Sequence, residues 1–145
     1  MQISGEWLLC DDDVRRPVIR GEILASDGTW IPAEFLVDSG ADRTVFSAGL
    51  LTLVAGGSPT ISGERLSGWG GAAEFATVET QIRLVSESGI PVSFRARYAA
   101  ATRAESLDMR VLGRDITGLF AAIIDRPGNV VALLGQRHRY RIEQT

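Results

Sequence analysis

Runs of apolar residues at period two, each closed off by Gly, Pro, Asp or Asn, recur along this chain and constrain it to a fold built mainly of strands. The clearest spans residues 91–99, where Val92, Phe94, Ala96 and Tyr98 alternate with Ser93, Arg95 and Arg97, as in a half-solvated strand. Residues 16–25 and 30–37 read as two strands joined by the turn chemistry of Ser26-Asp27-Gly28. Pro32 has no N–H for a ladder, which puts it at an edge or a strand start. Phe35-Leu36-Val37 is a continuous apolar run, the pattern of a strand buried on both faces. Residues 75–85 fit two templates: Ala76, Val78, Thr80, Ile82 and Leu84 alternate, while Phe75, Val78, Ile82 and Val85 share one helix face. The β-branched Val78, Thr80 and Ile82 favour the strand.

Helical signals are few. Ser47 is a candidate N-cap ahead of Leu50, Leu51, Leu53 and Val54, with Gly56-Gly57 as a stop. A second short helix, capped by Asp115 and carrying Ile116, Leu119 and Phe120, follows Val111-Leu112-Gly113. Residues 122–124 and 130–134 form a hairpin around Pro127-Gly128-Asn129, and Tyr140 and Ile142 point to a last strand. Residues 63–71, with Gly63, Gly68, Gly70 and Gly71, read as a mobile or tightly turned segment. No repeat or linker interrupts the pattern, so residues 1–145 form one mostly-β domain with its core between about 16 and 134.

Composition excludes several functions. At 145 residues, 45% hydrophobic and 23% charged, the chain suits a single globular domain. Cys10 is the only cysteine, in an irregular N-terminal segment, and His138 the only histidine, so neither a disulfide nor a zinc site is expected; no metal or other cofactor is implied. A net charge of −3 gives no general attraction to nucleic acid. All 15 basic residues are Arg, clustered only at Arg15-Arg16 and at Arg137-His138-Arg139-Tyr140-Arg141, which is the pattern of a solvated surface. No apolar run reaches the roughly 18 residues of a membrane span. Residues 1–10 lack the basic and apolar regions of a secretion signal. The expectation is therefore a cytoplasmic protein with no membrane partner.

Asp38 stands out. It directly follows Phe35-Leu36-Val37, and Gly40 then permits a tight turn and close approach of a ligand to the backbone. Ser39 and Ala41 are small, and Ser39 offers a hydroxyl. Alone, Asp-Ser-Gly reads as an Asx-turn between strands. Here it is followed by the Gly-rich Leu66-Ser67-Gly68-Trp69-Gly70-Gly71 and then by Val111-Leu112-Gly113-Arg114-Asp115. The combination resembles the retropepsins, the single-domain aspartic proteases typified by retroviral proteases. Their first motif is a hydrophobic strand entering Asp-Thr/Ser-Gly-Ala. Their second is two hydrophobic residues, Gly, Arg and Asp or Asn before a short helix, and a Gly-rich flap lies between the two.

The resemblance implies a closed β-barrel of the acid protease fold with one or two short helices, and an aspartic endopeptidase with Asp38 as catalytic residue. That chemistry uses two carboxylates about 3 Å apart that share one proton and titrate as a unit. The chain holds one such triplet, so a C2 homodimer is implied, with Asp38 from each subunit. By resemblance, Ser39 bonds across the two-fold axis, and Gly40, Ala41 and Asp42 line the cleft. Asp42 pairs with Arg114 to support the active-site loop, and Arg43 approaches a substrate side-chain pocket, hinting at acidic or polar groups there. Gly68, Trp69 and Gly70 form a flap over the peptide. Read without the resemblance, Asp42 and Arg114 are a surface pair worth about 0–1 kcal/mol, Arg43 is solvated, and Trp69 is a core or interface side chain. The partner would be an extended peptide or protein substrate, held by backbone hydrogen bonds with alternate side chains in pockets.

The segments 47–61, 99–109 and 135–145 exceed what a minimal retroviral enzyme needs. In retroviral members the chain ends interleave into a shared dimer sheet, a part that residues 1–9 and 139–143 would take here. Three rivals compete. Gly68-Trp69-Gly70-Gly71-Ala72-Ala73 matches a dinucleotide fingerprint with 75–85 as its helix and Glu87 as the ribose acid, but too little chain precedes it. A Ser or Cys hydrolase would have to use Cys10 or a His138 flanked by two Arg. A catalytically silent retropepsin-like domain that binds peptides or dimerises would use the same loops, yet has no need of a carboxylate in that turn.

Overall fold

The computed structural model describes residues 1–55, 60–68, 71–103, 110–136, 141, 143 and 144, with the backbone alone for 60–68 and 71–74. In chain order the elements are β1 (Gln2–Ser4), β2 (Glu6–Leu9), β3 (Arg15–Leu24), β4 (Trp30–Val37), β5 (Val45–Phe46), α1 (Ala48–Ala55), β6 (Thr60–Gly68), β7 (Gly71–Val85), β8 (Pro91–Ala101), β9 (Arg110–Leu112), α2 (Arg114–Thr117), β10 (Ala121–Asp125) and β11 (Val130–Leu134). Eight strands form one sheet in the order β2-β3-β4-β9-β5-β8-β7-β6. A further pairing of β3 with β7 closes β3, β4, β9, β5, β8 and β7 into a six-stranded barrel. The remaining strands form a three-stranded sheet, β1-β11-β10. The mostly-β, closed-barrel expectation with two short helices holds.

Local chemistry explains the connections. Between β3 and β4, Asp27 Oδ1 accepts from the Thr29 N–H (3.0 Å) and from Thr29 Oγ1 (2.6 Å), and Gly28 takes φ +86°. The barrel closes at Gly21, where a Cβ would lie 2.8 Å from the Arg83 carbonyl oxygen; glycine lets β3 and β7 approach. The seam is tied outside by Arg83, which donates to Glu22 (3.0 Å) and stacks 4.1 Å over the Trp30 ring. Ile19, Ile23, Phe35, Phe46, Ile82, Leu84, Tyr98 and Leu112 fill the interior. The buried Tyr98 hydroxyl donates to the Phe94 carbonyl (2.6 Å); burial, with the nearby Asp115 charge, pushes its pKa well up. Leu50, Leu51 and Val54 of α1 face the core. Pro32 pairs with Glu22 where β4 has only β3 beside it, since β9 reaches no further than Phe35.

Three readings change, and one is settled. Residues 63–68 belong to β6 rather than to a turn; the ladder with β7, from Arg65↔Glu74 to Gly68↔Gly71, holds the backbone where glycines offer no side-chain packing. The N-terminal segment is regular: β1 pairs with β11 and β2 with β3, and Cys10 opens the turn into β3. Residues 75–85 lie within strand β7, as their β-branched residues favoured, which removes the helix of the rival dinucleotide fingerprint. The second helix spans only Arg114–Thr117, with Leu119 and Phe120 beyond it. The expected strand at Tyr140 and Ile142, and His138, lie outside the described residues. Among the described residues no helix is long and apolar enough to cross a membrane.

Candidate active site

The site is built on a crossover. β4 and β5 are consecutive in sequence yet do not pair; β9 lies between them, parallel to β4 (Val37↔Leu112) and antiparallel to β5 (Val45↔Val111). Residues 38–44 must therefore pass over the end of β9. Gly113 sits under that passage, where a Cβ would fall 2.3 Å from the Arg43 carbonyl carbon and 2.8 Å from the Thr44 nitrogen. The Gly of the second motif is thus a contact requirement of the loop that carries the first.

Asp38 caps β4. Its N–H donates to the Leu112 carbonyl (3.2 Å), its own carbonyl accepts from the Ala41 N–H (3.3 Å), and Oδ1 accepts from the Gly40 N–H (2.9 Å). The side chain is half-buried, while Ser39 and Gly40 are exposed and Ala41 is half-buried. One carboxyl oxygen is thereby held by a backbone donor at the rim of the barrel, beside accessible main chain.

Two clamps hold the loop from behind. Arg114 donates from its backbone N–H to the Ala41 carbonyl (2.9 Å) and from Nη1 to the Ser39 carbonyl (3.0 Å), and its Nη2 pairs with the Asp42 carboxylate. Both side chains of that ion pair are exposed, so by itself it contributes about 0–1 kcal/mol; the two carbonyl contacts make Arg114 a brace. The second clamp was not foreseen. Thr44 is fully buried; its N–H donates to both Asp115 oxygens (3.0 Å each), its hydroxyl donates to Asp115 Oδ1 (2.6 Å), and the Gly113 N–H donates to its Oγ1 (3.1 Å). Asp115 is thus no N-cap: the residue before α2 is Gly113, with no side-chain capping bond, and the carboxylate reaches back to Thr44 instead.

The structure brings Asp38, Ser39, Gly40, Ala41, Asp42 and Arg114 into this one assembly. Arg43 is exposed on the same loop. Gly68 ends β6 opposite Gly71. Trp69 and Gly70 lie outside the described residues.

No protein-family model matches the chain, and no curated protein matches it in sequence. Solved structures do. A retropepsin-like aspartic protease from Rickettsia conorii is similar at 15% identity with a TM-score of 0.58, over 92% of this chain and 88% of that one. The EIAV protease, complexed with an inhibitor, is similar at 23% identity with a TM-score of 0.45, over 71% of this chain and 86% of that one. A barrel closed around a strand-capping Asp-Ser-Gly turn, matched over most of its length, gives this chain the retropepsin-like aspartic protease fold.

Proposed function

We propose that this protein is an aspartic endopeptidase that works as a C2 homodimer, with Asp38 of each subunit sharing one proton across the axis. The observation that carries the reading is the setting of Asp38. It stands half-buried at the end of a strand whose Phe35 and Val37 are buried, with one oxygen held by the Gly40 N–H, on a loop braced from behind by Arg114 and by Thr44 with Asp115. The Asp38–Gly40 bond alone would also serve an Asx-turn between strands; what favours the catalytic reading is that the loop carrying it is braced twice from behind.

In the proposed reaction the ionised carboxylate takes a proton from a water held between the two, and the water oxygen attacks the peptide carbonyl carbon. The protonated carboxyl gives its proton to the carbonyl oxygen, forming a neutral tetrahedral diol. Collapse breaks the C–N bond as the leaving nitrogen is protonated, and the shared proton is restored. The exposed main chain of Gly40 and the neighbouring Ala41 and Asp42 would bind an extended substrate, with the β6–β7 hairpin covering it. Arg43 favours acidic or polar substrate groups nearby.

The test is digestion of a diverse peptide library at several pH values by the wild type and by Asp38→Asn. The expected result is cleavage by the wild type and a loss of about 10²–10⁴-fold or more in the variant, with its folding and association unchanged. Full activity in the variant would remove Asp38 from the chemistry.

A further inference from the structure

One row of pairs crosses the sheet beside the candidate site. Thr60 of β6 stands against Thr77 of β7, Thr77 against Ala99 of β8, and Ala99 against Val45 of β5, the residue that directly follows the loop carrying Asp38. Past this row the sheet thins. The β7–β8 ladder ends at Phe75↔Ala101, so residues 71–74 have only β6 beside them, and β6 is the last strand of the sheet. Residues 65–68 and 71–74 therefore form a two-stranded ribbon with no third strand behind it. At the same point the β6–β7 register breaks. Ile61 pairs with Ala76 and Arg65 with Glu74, so Ser62, Gly63 and Glu64 together stand against Phe75. A regular ladder would place one residue there. Phe75 is held from the other side, paired with Ala101 and only 2% accessible.

We infer that this bulge is a built-in hinge: the ribbon beyond it swings as one lever about residues 62–64 on β6 and Phe75 on β7, while the barrel below stays fixed. A bulged strand loses ladder bonds locally and bends there. Gly63 lies inside the bulge, and glycine restricts the backbone least of any residue. Support from β8 and regular pairing with β6 both end at Phe75, so the two causes of weakness coincide. Beyond the bulge, Arg65↔Glu74, Leu66↔Ala73, Ser67↔Ala72 and Gly68↔Gly71 form an unbroken run of pairs, which keeps the lever together. The hinge lies past the row that reaches Val45, so the ribbon moves without disturbing the loop that holds Asp38. This inference rests on the reading above that the β6–β7 hairpin covers the substrate; it adds where that cover bends and why.

Two variants test it. Deleting Ser62 and Gly63 leaves Glu64 alone against Phe75; the number removed is even, so the alternation of β6 against β7 is unchanged. Gly63→Val keeps the length and stiffens the bulge, and it carries the test if the deletion does not fold. In a Cys10→Ser background, spin labels at Ser67→Cys in the ribbon and at Arg97→Cys, exposed on β8, give the distance between them by pulsed electron paramagnetic resonance. The labelled chain is diluted into unlabelled chain, so that only distances within one subunit are read. The parent should give a broad distribution, which either variant narrows to about half its width or less. Both variants should also cut peptides about tenfold more slowly at low substrate concentration, where lifting of the ribbon limits entry. A narrow parent, variants as broad as the parent, or narrowed variants that cut as fast would each overturn the inference. The distances are read without catalysis, so the two readings fail separately. A narrow parent with Asp38-dependent cleavage would sink the hinge and keep the protease; a broad parent narrowed by the deletion, without Asp38-dependent cleavage, would do the reverse.

Discussion

Thr44 is fully buried, and its hydroxyl both donates to Asp115 (2.6 Å) and accepts from the Gly113 N–H (3.1 Å). Thr44→Val preserves the shape and removes both bonds, leaving the Gly113 N–H without its acceptor. That should cost about 1–3 kcal/mol, read as a lower midpoint in urea. Thr44→Ser keeps the hydroxyl, gives up one methyl group and should lose about 1 kcal/mol or less. Equal stability of the Val variant and the wild type would mean that the network contributes nothing. The Asp42–Arg114 ion pair is the opposite case: both side chains are exposed, so its value lies in orienting Arg114 toward the Ser39 carbonyl. Sequence reasoning found the exposed pair and passed over the buried threonine. Asp42 and Arg114 fall at motif positions of formal charge, whereas Thr44 looks like one more β-prone residue until the fold brings it to a carboxylate 71 positions away.

At the scale of elements, the insertion of β9 between β4 and β5 makes Gly113 a position of contact. Its φ of −90° suits any residue, so an added Cβ would act only through collision with the backbone of Arg43 and Thr44. Gly113→Ala should destabilise by about 1–3 kcal/mol, a fall of several degrees in Tm. Gly49 is the control: it is exposed in α1 with open space at its Cβ, and Gly49→Ala should gain about 0.5–1 kcal/mol. If calorimetry found the two variants alike, the crossover contact would be without consequence. The same elements mark what the sequence could reveal. The bounds of β4, the strand state of β7 and the β10–β11 hairpin follow from period and turn chemistry, which are local. The insertion of β9, the intrachain pairing of β1 and β2 and the regularity of β6 depend on partners far along the chain. Local patterning is silent on these, most of all where glycines remove the alternation.

At the scale of the whole molecule, one acidic turn per chain makes activity a property of pairs. The subunits of wild type and Asp38→Asn should be interchangeable, because the change keeps side-chain shape and leaves an amide oxygen to accept from the Gly40 N–H. In mixtures equilibrated above the dissociation constant, subunits combine at random, and only dimers with two wild-type copies hold both carboxylates. Activity at fixed total protein should then follow the square of the wild-type fraction: an equal mixture should retain about a quarter of the activity, against about a half if every chain carried a complete site. Below the dissociation constant, the rate of wild type alone should fall with the square of its concentration. A linear dependence in both experiments would assign the whole reaction to one subunit, and the shared carboxylates would have to be abandoned even with the fold intact.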